Sequence, residues 1–214
     1  MSKDVTPFAL DKNSLIRALD ALAETDDDLA GAMEQVGYPE ERRRPAGFQT
    51  LMHIITGQQL STRAAATIVG RLHEATEPDL TPERFLRLSD EELRAIGFSR
   101  QKVLYGRGLS EAILKGDFSP DDLASRPDEE IVAAITAIKG FGRWSAEMYL
   151  LFSLGRPDVW PADDLAVRVA VQNLKRLDKR PGTKQMDAIA ESWRPHRGAV
   201  AIFLWHYYRK FPEL

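Results

Sequence analysis

Residues 138–167 read IKGFGRWSAEMYLLFSLGRPDVWPADDLAV. Two features stand out in an otherwise helical-looking stretch. Gly140 and Gly142 bracket Phe141, and the adjacent acids Asp163 and Asp164 follow about twenty residues later in an apolar run. Glycines one residue apart can adopt backbone angles that other residues avoid, so the spacing predicts a very tight turn between two helices. Such a turn leaves N–H groups at the start of the next helix facing outward. With the dipole of that helix they suit an anion such as a phosphate. Arg143 adds positive charge and Ser145 a hydroxyl at the same helix start. By itself a Gly-x-Gly turn needs no ligand, since any two helices can be joined this way.

Helix signals dominate on both sides of this stretch. Leu15, Leu19 and Leu22 fall on one helical face. Ser89 with Glu92 forms a capping box ahead of Leu93 and Ile96. Thr81-Pro82 and Ser119-Pro120 each place a capping hydroxyl before a proline at the first helical position. Pro127 followed by Asp128, Glu129 and Glu130 marks another start, its acids favoured by the helix dipole. Ile131, Ile135 and Ile138 then supply an apolar stripe that Gly140 is expected to end. No long alternating strand pattern is present, and PDVW (157–160) is too short to build a sheet. The loop-rich stretch from Pro157 to Asp163 leads into the acid pair.

The chain has 214 residues, 43% of them hydrophobic, an ordinary globular composition. It has no cysteine, which excludes disulfides, a thiol nucleophile, Cys-ligated zinc and a cysteine-held iron–sulfur cluster. His53, His73, His196 and His206 show no metal-ligand spacing, and GxSxG is missing. No run of eighteen apolar residues predicts a membrane span. The opening MSKDVTPFALDKNS lacks a basic-then-apolar signal layout. The expected location is the cytoplasm, nucleoid-associated, for a bacterial protein and the nucleus for a eukaryotic one. The net charge of −3 argues mildly against a nucleic-acid partner. Distribution offsets this: acids gather at 24–28, 89–93, 119–122 and 126–130, bases at 41–44, 100–107, 139–143, 175–184 and 194–197. That pattern fits a basic cleft on an acidic body, and equally a set of solvated helix faces.

AIKGFGRWSAEMYLL resembles the helix-hairpin-helix of the base-excision DNA glycosylases, with Ile138, Gly140, Phe141, Gly142, Ser145 and Ala146 at the patterned positions. Lys139 stands where the family usually has proline. The resemblance extends through GFQTLMHIITGQQLSTRAAATIVGRL (47–72), LSDEELRAIGFSRQKVLYGRGLSEAI (88–113) and ESWRPHRGAVAIFLWHY (191–207). The branch resembled is DNA-3-methyladenine glycosylase II, in a compact form without that branch's extra N-terminal domain. The fold implied is all-α, two small helical subdomains flanking a cleft. One is residues 45–158, with the helix-hairpin-helix at about 129–152; the other is 1–44 plus 159–214 and carries the catalytic acid.

In that family an acid at the mouth of a base pocket follows the hairpin and stands three residues before a β-branched residue. Asp164 before Val167 fits, which leaves Asp163 as helper or helix cap. Capping the helix that starts near Leu165 is an alternative task for the pair, compatible with catalysis because a helix N-terminus favours the carboxylate. Electron-rich rings stack on a cationic purine, which makes Trp144, Trp160, Trp205 and Tyr149 candidates for a base pocket; the resemblance places a pocket tryptophan at Trp205 and a counterpart at Trp144. Core packing is the plain alternative for each. DNA contacts are implied for Gln58, Gln59, Ser61, Gly140, Gly142, Arg143, Ser145 and Ala146, with Gln59 as the wedge that fills the gap left by a flipped base. Gln58 and Gln59 could instead simply cap a turn. A structural sodium or potassium ion on the carbonyls of Thr136, Ile138 and Phe141 is implied, and no other cofactor.

Bifunctional relatives such as endonuclease III carry lysine directly after GxGR as a Schiff-base nucleophile. Trp144 occupies that position here, which predicts a monofunctional enzyme without β-lyase activity. The expected reaction is hydrolysis of the N-glycosidic bond of 3-methyladenine- or 7-methylguanine-type purines after base flipping. The expected partner is double-stranded DNA carrying alkylated bases, engaged by a monomer. The competing readings are a non-catalytic helix-hairpin-helix damage sensor and a glycosylase for other damaged bases. The sequence leaves the range of bases open.

Overall fold

The computed structural model describes residues 8–211, so the first seven residues of the stretch searched for a targeting signal lie outside it. All regular structure among the described residues is helical, and none of its helices is long and apolar enough to cross a membrane. In chain order the helices are α1 Lys12–Ala23, α2 Asp27–Val36, α3 Phe48–Gly57, α4 Thr62–Ala75, α5 Pro82–Arg87, α6 Asp90–Ile96 and α7 Arg100–Leu114. A 3-10 turn at Pro120–Ser125 precedes α8 Asp128–Thr136 and α9 Arg143–Phe152. Then come α10 Leu165–Leu174, α11 Thr183–Ala190, a 3-10 turn at Glu191–Trp193, and α12 Arg197–Lys210.

The chain divides into two compact units, residues 44–149 and residues 8–43 with 150–211. Sequence reading places the second boundary at 158/159, in a loop, where linkers usually lie. The division between the compact units falls within α9, which runs from Arg143 to Phe152.

In the unit of residues 44–149, caps set where helices begin. Ser61, Thr81, Ser89 and Ser99 each accept a backbone N–H three residues on, and Ser89 with Glu92 completes the capping box. Ser119 departs from expectation. Its side chain makes no cap, and Pro120 opens a 3-10 turn rather than an α-helix. The core gathers Leu51, Ile55, Leu72, Phe85, Leu93 and Leu109, all fully buried.

In the other unit α12 is buried almost all round from Gly198 to Leu204, the pattern of a central helix. Leu15, Ala18, Leu19 and Leu22 form the buried face of α1, and Val167, Ala170, Val171 and Leu174 that of α10. Asp26 caps α2 and ties three elements together. Its carboxylate accepts from Leu29 N (3.1 Å), Lys175 Nζ (2.7 Å) and Trp193 Nε1 (2.8 Å). Burial alone would raise the Asp26 pKa, but the Lys175 and Trp193 hydrogen bonds outweigh it and hold the carboxyl below its ordinary value.

Candidate active site

The hairpin lies in the unit of residues 44–149 up to Tyr149. α8 ends at Thr136, earlier than Gly140, because Ala137 and Ile138 already close its last turn onto Ala133 and Ile135. The chain then turns through residues 137–142, with Phe141 N–H bonded to Ile138 O at 3.1 Å. Gly140 has φ +101°, and a Cβ there would stand 2.3 Å from Cγ of Tyr105. Only glycine fits, on backbone and on space. Gly142 differs. Its φ lies outside the left-handed region and a Cβ would meet nothing within 4 Å. Thus one glycine of the pair is required by the turn, not two.

Gly142 O accepts from Ser145 N (3.0 Å) and Ala146 N (3.3 Å), so Gly142 caps α9. Gly142, Arg143 and Trp144 form an exposed run at the helix start, where the first N–H groups have no acceptor within the helix. Arg143 bonds Glu147 at 3.0 Å and lies 3.8 Å from Glu129, so its charge is partly matched within the protein. Ser145 and Ala146 are buried, which corrects their expected place at the DNA surface: their side chains pack inward.

The loop from Gln58 to Ser61, in the same unit, is braced against the hairpin. Gln58 Nε2 donates to Gly140 O at 2.8 Å. Lys102 Nζ donates to Thr56 O, the end of α3, at 2.7 Å. Gln59 takes a positive φ of 56° and is exposed, as is Leu60 beside it. In the free protein Gln58 is therefore a strut and Ser61 a helix cap, whereas Gln59 presents its side chain to solvent. Sequence reading missed Lys102 and Tyr105. Nothing local to residues 100–105 signals contact with residues 56 and 140.

In the other unit, Asp164 caps α10. Its Oδ1 accepts from Val167 N at 3.0 Å and from Trp205 Nε1 at 3.0 Å. The Trp205 ring leans on Phe152, with centroids 5.4 Å apart. Asp163 is not the cap; it accepts from Thr183 Oγ1 at 2.6 Å. Trp160 is buried edge-to-face against Trp193 (5.4 Å, 66°), a core position rather than a pocket wall. Tyr149, in the first unit, is fully buried, its hydroxyl oxygen accepting from Gly47 N–H at 2.9 Å, and burial raises its pKa. Of the four proposed pocket aromatics, only Trp144 and Trp205 keep exposed surface. No group of three or more His, Asp or Glu is placed to hold a metal among the described residues.

A glycine-turned hairpin opening on exposed N–H groups, and a carboxylate held at a helix N-terminus, are features of the helix-hairpin-helix base-excision proteins. The chain belongs to that family: residues 52–195 match the HhH-GPD superfamily of base excision DNA repair proteins. It is 36% identical over 168 residues to DNA-3-methyladenine glycosylase 1 of Schizosaccharomyces pombe, covering 77% of this chain and 73% of that one. The solved S. pombe 3-methyladenine DNA glycosylase Mag1, in complex with abasic DNA, superposes with a TM-score of 0.86 at 31% identity, over 92% of this chain and 99% of that one. A Bacillus halodurans DNA-3-methyladenine glycosidase superposes with a TM-score of 0.76 at 32% identity, over 88% and 87%.

Proposed function

We propose that the chain is a monofunctional DNA glycosylase that flips alkylated purines out of double-stranded DNA and hydrolyses their N-glycosidic bond, initiating base excision repair. Two relatives that match most of both chains, DNA-3-methyladenine glycosylase 1 of S. pombe and the solved Mag1, are named as 3-methyladenine glycosylases, which supports the activity and DNA as partner. The observation that carries the chemistry is Asp164, a carboxylate fixed by two donors at the head of α10.

A purine methylated at N3 or N7 carries positive charge and leaves without strong acid assistance. The difficult step is the charge that develops on the sugar. Asp164 stabilises that oxocarbenium-like centre electrostatically and orients the attacking water. Gly142 and Arg143 grip the DNA backbone through N–H groups and the α9 dipole. Gly142 supports this assignment because nothing inside the protein demands glycine there. Gln59 enters the space vacated by the base. Trp144 occupies the position of the lyase lysine, so no Schiff base forms and the strand stays intact. The protein acts as a monomer without cofactor. A structural sodium or potassium ion would be held by the hairpin carbonyls of Thr136, Ile138 and Phe141, which are hard oxygen donors; Ile138 O keeps a second lone pair beyond its turn hydrogen bond.

The test is release of 3-methyladenine and 7-methylguanine from methylated DNA. Asp164→Asn is expected to lower the single-turnover rate about 100-fold or more, with damaged-DNA affinity retained. Release at the wild-type rate would remove Asp164 from catalysis, and strand cleavage without base or heat would rule out the monofunctional reading.

A further inference from the structure

We infer that Trp205 acts as the positioning residue of the catalytic carboxylate, through its indole N–H, rather than as a stacking wall for the excised base. The inference rests on the proposed role of Asp164. Two donors converge on one oxygen of that carboxylate. The backbone N–H of Val167 comes with the helix cap and would be present for any capping aspartate. Trp205 Nε1, forty-one residues away on α12, supplies the other at 3.0 Å. A cap alone leaves rotation about the carboxylate's last bond only loosely set. A second donor on the same oxygen, carried by another helix, restricts that rotation further.

The donor is itself held. Phe152 leans on the indole at 5.4 Å with an interplanar angle of 39°, and α12 is packed on nearly all sides just before this residue. The bond also gives the indole N–H of this half-buried ring a fixed partner. A ring whose edge is committed to Asp164 has its orientation dictated by the acid. A stacking wall would take its orientation from the base, and any large aromatic ring would serve.

The two roles separate on the N–H. Trp205→Phe keeps an aromatic ring and removes the donor; replacing Trp205 by β-(3-benzothienyl)alanine removes only the donor and keeps the bicyclic shape. Single-turnover release of 7-methylguanine and equilibrium binding to an uncleavable abasic-analogue duplex are measured for both. The expected result is a rate lowered about tenfold, the scale of a hydrogen bond to a charged group, with binding unchanged within twofold. In an Asp164→Asn background the same replacements are expected to change the residual rate less than twofold. Wild-type rates in both variants, with Asp164→Asn inactive, would overturn the role of Trp205 alone. An active Asp164→Asn would overturn the glycosylase assignment of Asp164 and this inference with it. The sulfur isostere keeps the test decisive if the Phe variant folds poorly, and an equal loss in the presence and absence of the Asp164 carboxylate would mark Trp205 as packing only.

Discussion

The hairpin and the acid site are specified in opposite ways. At residues 137–146 the turn itself is built from short-range backbone hydrogen bonds: Phe141 N–H to Ile138 O, Ser145 and Ala146 N–H to Gly142 O. Gly140 makes room there, because the Tyr105 ring fills the space its Cβ would need. At Asp164 the functional group is a side chain, and its second donor comes from a distant helix. A backbone-built grip suits a repeating phosphate chain and reads no sequence. A side-chain-built acid must be held rigidly in place, and the fold supplies a helix cap, an indole and a supporting ring.

The comparison can be broken in order of size. Gly140→Ala combines a forbidden φ with a 2.3 Å overlap on Tyr105, and is expected to destabilise the protein by about 3 kcal/mol. Urea unfolding reads this directly; a loss under 1 kcal/mol would mean the turn is not fixed by packing.

Acid should soften the hairpin's unit through the His53–His73 pair. Their Nε2 atoms lie 2.9 Å apart, so one ring donates and the other accepts while both are neutral. Burial, then His73 and Arg44, push the His53 pKa down to about 4. A folded pKa below the unfolded value of about 6.5 means the stability is fully present above pH 6.5 and is lost as pH falls toward 4. The loss is expected at about 2 kcal/mol after allowance for partial exposure. Protection factors in α3 and α4, corrected for the intrinsic pH dependence of amide exchange, should fall between pH 7 and 5, and His53→Phe should flatten that fall; an unchanged profile would contradict the assignment.

The smallest effect on the protein is the most telling for its grip. Gly142→Ala has open space and an ordinary φ, so stability should move by less than about 0.5 kcal/mol. Affinity for undamaged DNA should still fall about tenfold on every sequence alike, since a methyl group would intrude where a phosphate approaches. Unchanged binding would place the phosphate elsewhere.

Much of this was legible in the chain, and the misses share a cause. The capping box at Ser89, the caps at Thr81 and Asp164, and the buried stripe of α1 depend on residues three or four apart, so sequence spacing is enough to reveal them. Ser119-Pro120 carries the same local signal yet opens a 3-10 turn, because local preference does not fix which hydrogen-bond ladder continues. The two glycines look equivalent in sequence. The left-handed φ of Gly140 and the ring of Tyr105, thirty-five residues earlier, make one of them indispensable.

The aromatics show the division most sharply. Trp144, Tyr149, Trp160 and Trp205 are all large aromatic rings with one polar atom, and sequence alone assigns none of them a direction. The sequence by itself determined an all-helical chain, a glycine-turned hairpin and a carboxylate at the head of α10, because each is written in contacts within a turn or two. Tertiary structure alone decided that Tyr149 and Trp160 are core and that Trp205 holds Asp164. Those outcomes depend on which faces α9, α10 and α12 bury, and burial is settled by packing between elements distant in the chain.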